Sequence, residues 1–169
     1  NDAPGNGSGN MITCWTGLTN STSTIYPYTS TTYHHNDGYA VYLYGTSGTS
    51  ATYTYLVSPR FEDNVQMNNI HIGYWAYRTT TNSMVEVGVM TDPNDISTFV
   101  KVGEITPSAT VSAWEDYEAT TASYTGNGRY IAFRIPTLAS TTSGIYLDDI
   151  TFTDIPVCYH VDNIAADDA

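Results

Sequence analysis

The sequence predicts an all-β domain, an antiparallel β-sandwich with jelly-roll topology. Short runs in which apolar and polar residues alternate recur along the chain, separated by Gly, Asn, Asp, Ser and Pro. The composition leans on Thr and on 15 Tyr, residues that suit a pleated, half-buried surface. No stretch sustains a helical period, and no internal repeat appears. About nine strands at this spacing fit a sandwich or jelly roll.

The elements follow in order. Residues 1–10, NDAPGNGSGN, carry no apolar pattern and read as a flexible leader. A single sandwich domain is expected over 11–158. MITCWTGL (11–18) is the first strand. GYAVYLYG (38–45) alternates, with Val41 and Leu43 on one face and Tyr42 and Tyr44 on the other. ATYTYLVSPRF (51–61) is a strand ended by Pro59. NIHIGYWAYR (69–78) sets Ile70, Ile72, Tyr74 and Ala76 against His71, Gly73, Trp75 and Tyr77. SMVEVGVMT (83–91) turns Val85, Val87 and Val89 one way and Glu86, Gly88 and Met90 the other. After the turn DPND come STFVKVGEI (97–105) and WEDYEAT (114–120). GRYIAFRI (128–135) puts Ile131, Phe133 and Ile135 inward. GIYLDDITFTDI (144–155) closes the domain. Residues 159–169 lose the strand pattern and read as a tail or linker to a following domain.

Charge limits the partners. The chain has 17 acids against 5 bases, for a net charge of -12. That balance argues against nucleic acid and against anionic lipid. It suits divalent cations and neutral ligands. No apolar run approaches a membrane span, so no membrane insertion is expected. No signal peptide is read, and the expectation is that one was removed from a longer precursor. Cys14 and Cys158 lie near the two ends of the domain. They read either as two buried thiols or as a disulfide joining first strand to last, which suits an oxidising compartment. Such a bridge would contribute roughly 4–5 kcal/mol by the loop-entropy model.

Several side chains invite a chemical reading. Asp148 and Asp149 are neighbours in a strand, so one is aimed at the buried face and needs a partner there. His71, Trp75, Tyr77, Glu86, Tyr130 and Arg134 all lie on outward faces. If their strands adjoin, they form a glycan site, with rings to stack on sugars and polar groups to bond hydroxyls. The alternatives are that a loop or domain covers Trp75, and that Glu86 and Arg134 form an ion pair of little weight. Tyr26, Tyr28, Tyr33, Tyr53 and Tyr55 form a rival loop surface. Trp15 and Trp114 read as packing residues. Asp92, Asn94 and Asp95 hint at a calcium loop, but the sixth position lacks Gly and the twelfth is Gly103, so a Pro-containing hairpin turn is the better reading. His34 and His35 read as an exposed loop. There is no G-x-S-x-G elbow and no paired-carboxylate motif among the Glu residues at 62, 86, 104, 115 and 118, so the reading is non-catalytic.

The run VEVGVMTDPNDISTFVKVGEI, then Trp114, then YTGNGRYIAFRI and IYLDDITF, resembles the cleaved-adhesin domains of gingipain-type proteases. CWTGL, YLVSPRF and the cysteine after the last strand fit the same pattern, over roughly 11–160. MAM-like domains and calcium-containing carbohydrate-binding modules share the architecture and the LDDI ending. The resemblance implies a jelly roll with structural Ca2+, acting as a non-catalytic module. The parent would be a secreted or cell-surface bacterial protein, such as a secreted protease or glycoside hydrolase. For that calcium, Asp148 or Asp149 could supply one or two oxygens, and the turn HHNDGY (34–39) more, through Asn36, Asp37 and a backbone carbonyl near Gly38. From the residues alone, Asn36-Asp37-Gly38 reads rather as only a tight turn, with the inward Asp bonding backbone N–H groups. The expected partner is a polysaccharide or glycan, or else a host or neighbouring protein with no sugar bound. The module is expected to be monomeric, extracellular or at the bacterial surface, and without nucleic acid.

Overall fold

The computed structural model describes residues 14–20, 27–36, 38–45, 53–106, 110–136 and 143–155. Ten strands run in chain order: β1 (Thr16–Thr19), β2 (Tyr28–Ser30), β3 (Ala40–Gly45), β4 (Tyr53–Val57), β5 (Ile70–Arg78), β6 (Val85–Met90), β7 (Val100–Ile105), β8 (Trp114–Thr120), β9 (Tyr130–Pro136) and β10 (Ser143–Asp154). The first sheet has the order β1-β4-β9-β6-β7 and the second β2-β3-β10-β5-β8. Every neighbouring pair is antiparallel. From β3 onward the chain crosses repeatedly between the sheets, which gives the expected jelly roll. Strand β2 is the one that alternation did not reveal, because three residues are too short to show a period.

The core lies between the sheets. Val41, Leu43, Ile72, Ile145 and Leu147 meet Leu56, Val85, Val87, Val89, Ile131, Phe133 and Ile135. Tyr74 and Phe133 join the layers edge to face, with centroids 5.2 Å apart. Each such buried aliphatic or aromatic side chain is worth about 1.5–3 kcal/mol.

A second apolar layer covers the outer face of the first sheet. Tyr55, Val57, Met90 and Ala132 are buried there beneath Leu18, Ile96 and Phe99. The β6–β7 connection supplies this cover through a short 3-10 turn at Ile96–Thr98. Its acids are spent on the backbone. Asp92 accepts from the Asn94 N–H at 2.8 Å and Asp95 from the Ser97 N–H at 2.9 Å. The turn reading of this segment therefore stands over the calcium-loop one.

Candidate functional site

The second sheet carries a row of rings on its outer face, one from each strand, half-buried except for Tyr146 at its centre, which is buried. Tyr28 lies opposite Tyr42, Tyr42 opposite Tyr146, Tyr146 opposite Tyr77, and Tyr77 opposite Trp114. At a strand spacing near 4.8 Å, five strands make a row about 19 Å long. Successive centroids stand 5.5, 4.4, 6.1 and 5.6 Å apart. All four pairs are tilted or edge to face, the arrangement that ring quadrupoles favour. Gly144 permits the tilt. A Cβ there would stand 2.2 Å from the Tyr42 hydroxyl. Burial, then the neighbouring Tyr146, Tyr28 and Tyr44, push the Tyr42 hydroxyl up to about 12. Burial and Tyr28 likewise raise Tyr146. These hydroxyls are neutral near pH 7 and can both donate and accept.

A strap, residues 33–36, lies across one part of the row. The Tyr33 ring stacks on Tyr77 with centroids 4.6 Å apart. His35 stacks on Trp75 at 3.8 Å and 15°. Asp148 and Asp149 hold the strap in place. The Asp148 carboxylate accepts the His35 backbone N–H at 2.7 Å. Asp149 Oδ2 lies 2.8 Å from His35 Nδ1 and accepts from Asn36 Nδ2 at 2.5 Å. A carboxylate can only accept, so Nδ1 carries the proton.

This geometry corrects the expectation of a buried aspartate. Neither acid enters the core, because β10 bulges between Asp148 and Thr151. Asp149 and Ile150 together oppose Tyr74. Asp149 takes a left-handed conformation, φ 46°, which Asp tolerates better than most residues. The bulge removes Asp149 from the alternation and lets Ile150 follow Leu147 inward against the core.

The expected outward cluster is also corrected. His71, Trp75 and Tyr77 lie on β5 of the second sheet, whereas Glu86, Tyr130 and Arg134 lie on β6 and β9 of the first. The two groups face away from each other across the sandwich. Arg134 Nε donates to Glu86 at 2.6 Å, and its guanidinium sits 4.2 Å from the Tyr53 ring and 4.0 Å from Phe99. Tyr130 packs on the second apolar layer. His71 lies 3.4 Å from Glu118. The rival tyrosines divide too. Tyr28 and Tyr33 join the row and strap, Tyr53 and Tyr55 belong to the first sheet, and Tyr26 lies outside the described residues. His35 is half-buried rather than free in a loop, while His34 is exposed. Trp15 stacks on Phe152 at the core margin.

Three of the four expected calcium ligands, Asn36, Asp148 and Asp149, come together; Asp37 lies outside the described residues. The donor types suit Ca2+, being two carboxylates and an amide whose oxygen is brought round by rotation. Among the described residues, His35 is the one ion-pair partner of either acid. No group of three or more His, Cys, Asp or Glu among those residues could hold a metal. Further ligands would have to be amide or backbone oxygens. Cys14 is exposed, and the expected bridge to Cys158 falls outside the described residues.

No protein-family model matches the chain. No curated protein matches either. Solved structures do. The K1 cleaved adhesin domain of Lys-gingipain from Porphyromonas gingivalis W83 is 18% identical, with TM-score 0.63, covering 86% of this chain and 94% of that one. The K2 cleaved adhesin domain of Lys-gingipain gives 18%, 0.62, 83% and 90%. TmCBM61 in complex with β-1,4-galactotriose gives 13%, 0.53, 84% and 89%. At these identities the likeness establishes the shared β-sandwich fold and agrees with the resemblance read from the sequence. Among the described residues no helix is long and apolar enough to cross a membrane.

Proposed function

We propose that this chain is a non-catalytic binding module that takes an extended glycan along the aromatic row of the second sheet. The observation that carries the reading is the row itself, Tyr28–Tyr42–Tyr146–Tyr77–Trp114, one ring on each of five strands. Ring faces and edges offer apolar contact to sugar C–H groups, and neutral tyrosine hydroxyls bond sugar hydroxyls. The fold it shares with a galactotriose-bound module supports the same class of ligand. In this reading Ca2+, held by Asn36, Asp148 and Asp149, fixes the strap and balances two adjacent carboxylates. The setting is a secreted or cell-surface bacterial multidomain protein, consistent with a fold shared with adhesin domains.

A second reading is a protein-binding adhesin or spacer without sugar binding. It draws on the strap, because His35 and Tyr33 already occupy faces of Trp75 and Tyr77. Affinity electrophoresis against a polysaccharide panel in calcium buffer separates the two, with Tyr42→Ala and Tyr77→Ala alongside. Retardation lost in both variants supports the row. No retardation of the parent on any polysaccharide favours the second reading.

A further inference from the structure

We infer that the cleft between residues 63–68 and 124–129 is a second binding site, built for a neutral, hydroxyl-rich group such as a terminal sugar residue. It lies between the β4–β5 and β8–β9 connections, where β10 ends and the Ile155 N–H donates to the Asn69 carbonyl at 3.0 Å. Its volume is about 370 Å3 and its lining is mostly polar.

Both walls are held by side chains that bond the backbone. The Arg129 guanidinium donates to the carbonyls of Val65, Asp63 and Glu62 at 2.6, 3.0 and 3.3 Å. Opposite, the buried Tyr124 hydroxyl accepts the Gly128 N–H at 2.7 Å. The glycines let this turn close on the ring, since a Cβ on Gly126 would stand 2.4 Å from the Tyr124 hydroxyl. A cleft whose walls are fixed before a ligand arrives loses little ordering entropy on binding.

The free groups select the ligand. Asn64, Gln66, Asn68 and Asn127 are exposed residues that line the cleft, and no hydrogen bond ties their side-chain amides to another described residue. Each offers donors and an acceptor, the complement of a hydroxyl. Charge argues against ions of either sign. The guanidinium is committed to carbonyls, and Glu62 and Asp63 flank it, so an anion finds no free cation. The Asp63 carboxylate is bound by Arg60 at 2.5 Å, and Arg129 repels a metal cation from the same wall. These residues are separate from the aromatic row, so the inference does not depend on that reading.

The test is a 1H–15N titration of the chain with methyl β-galactoside, methyl α-mannoside and methyl β-glucoside, and separately with CaCl2 and sodium phosphate. At least one glycoside should shift the Gln66 and Asn127 side-chain amides and the Gly126 and Gly128 N–H signals saturably. These shifts should be lost in Asn127→Ala and in Gln66→Ala, both exposed positions, and kept in Tyr42→Ala. No shift at these signals with any glycoside, or the same shifts with CaCl2 or phosphate, overturns the site. Shifts confined to Tyr42, Tyr77 and Trp114 would support the row and overturn the cleft.

Discussion

The His35 imidazole lies flat on the Trp75 indole, with centroids 3.8 Å apart and 15° between planes. The indole that alternation places outward is therefore covered by the chain's own strap. His35→Ala should uncover it. Tryptophan emission should shift to the red, acrylamide quenching should rise, and stability should fall by about 1 kcal/mol for the lost stacking. Unchanged quenching would mean that the strap does not cover Trp75 in solution.

Asp149 ties the same strap through His35 and Asn36. Asp149→Ala should loosen it and reproduce the His35→Ala fluorescence change. The calcium proposal makes a further demand. Chelation with EDTA should lower the Tm of the parent, added Ca2+ should restore it, and Asp149→Ala should be insensitive to both. A parent melt that responds to neither EDTA nor Ca2+ would remove the ion from the strap while leaving the hydrogen bonds in place.

Gly88 faces the second apolar layer. A Cβ there would meet the Phe99 ring at 2.4 Å and the Val100 carbonyl at 2.6 Å. Gly88 sits where β6 and β7 shift register between Val87 and Gly88, and the Val100 carbonyl it would meet is backbone, which cannot withdraw by a side-chain rotation. Gly88→Ala should cost about 1–3 kcal/mol by overpacking, read by urea denaturation. A variant as stable as the parent would show that the β6–β7 connection yields freely.

Alternation made the strands and their inward faces legible. Val85, Val87 and Val89, and Ile131, Phe133 and Ile135, are buried as their spacing predicts. Alternation is silent on which strands adjoin. It could not tell that Trp75 and Arg134 lie on opposite sides of the sandwich, or that Tyr146 stands between Tyr42 and Tyr77. The aromatic row depends on register across non-consecutive strands, set by loop crossings far apart in sequence. The bulge at Asp149 was hidden for a different reason. A period-two reading assumes unbroken pleating, and one left-handed residue resets it. The adjacent acids were the available signal, since two carboxylates in a row sit poorly in a regular strand.

Arg78 occupies an inward position of β5 and is 4% exposed. Its Nη1 donates to Glu115 at 2.7 Å, its Nη2 donates to the Tyr117 hydroxyl, and its guanidinium stands 5.2 Å from the Tyr117 ring. The planar fork serves both partners at once, which an ammonium cannot do. Arg78→Ala removes the buried guanidinium and its bonds while water reaches the partly exposed Glu115, so stability should fall by about 1–3 kcal/mol. Arg78→Lys should recover only part of the loss. A Lys variant as stable as the parent, measured by urea melts, would show that the charge alone matters.

The same cluster sets a pH dependence at both ends of the scale. Hydrogen bonds from Tyr117 and then Arg78 hold the Glu115 carboxyl below its ordinary value of 4.5. A depressed folded value stabilises the fold above the unfolded one, and the contribution is lost as pH falls from 4.5 through the folded value. Burial, then the bond to Glu115, pushes the Tyr117 hydroxyl from 10.0 up to about 12. A raised folded value works the other way for this neutral acid. Its contribution is complete below the unfolded value and is lost as pH rises from 10.0 toward about 12. Melting temperatures across pH test both arms. The parent should exceed Glu115→Gln near neutrality and converge with it in acid. Tyr117→Phe should have a shallower alkaline step than Glu115→Gln, the remainder coming from the raised hydroxyls of Tyr42 and Tyr146. Parallel curves for parent and Glu115→Gln down through the carboxylate range would mean that Arg78 does not pair with Glu115 in solution.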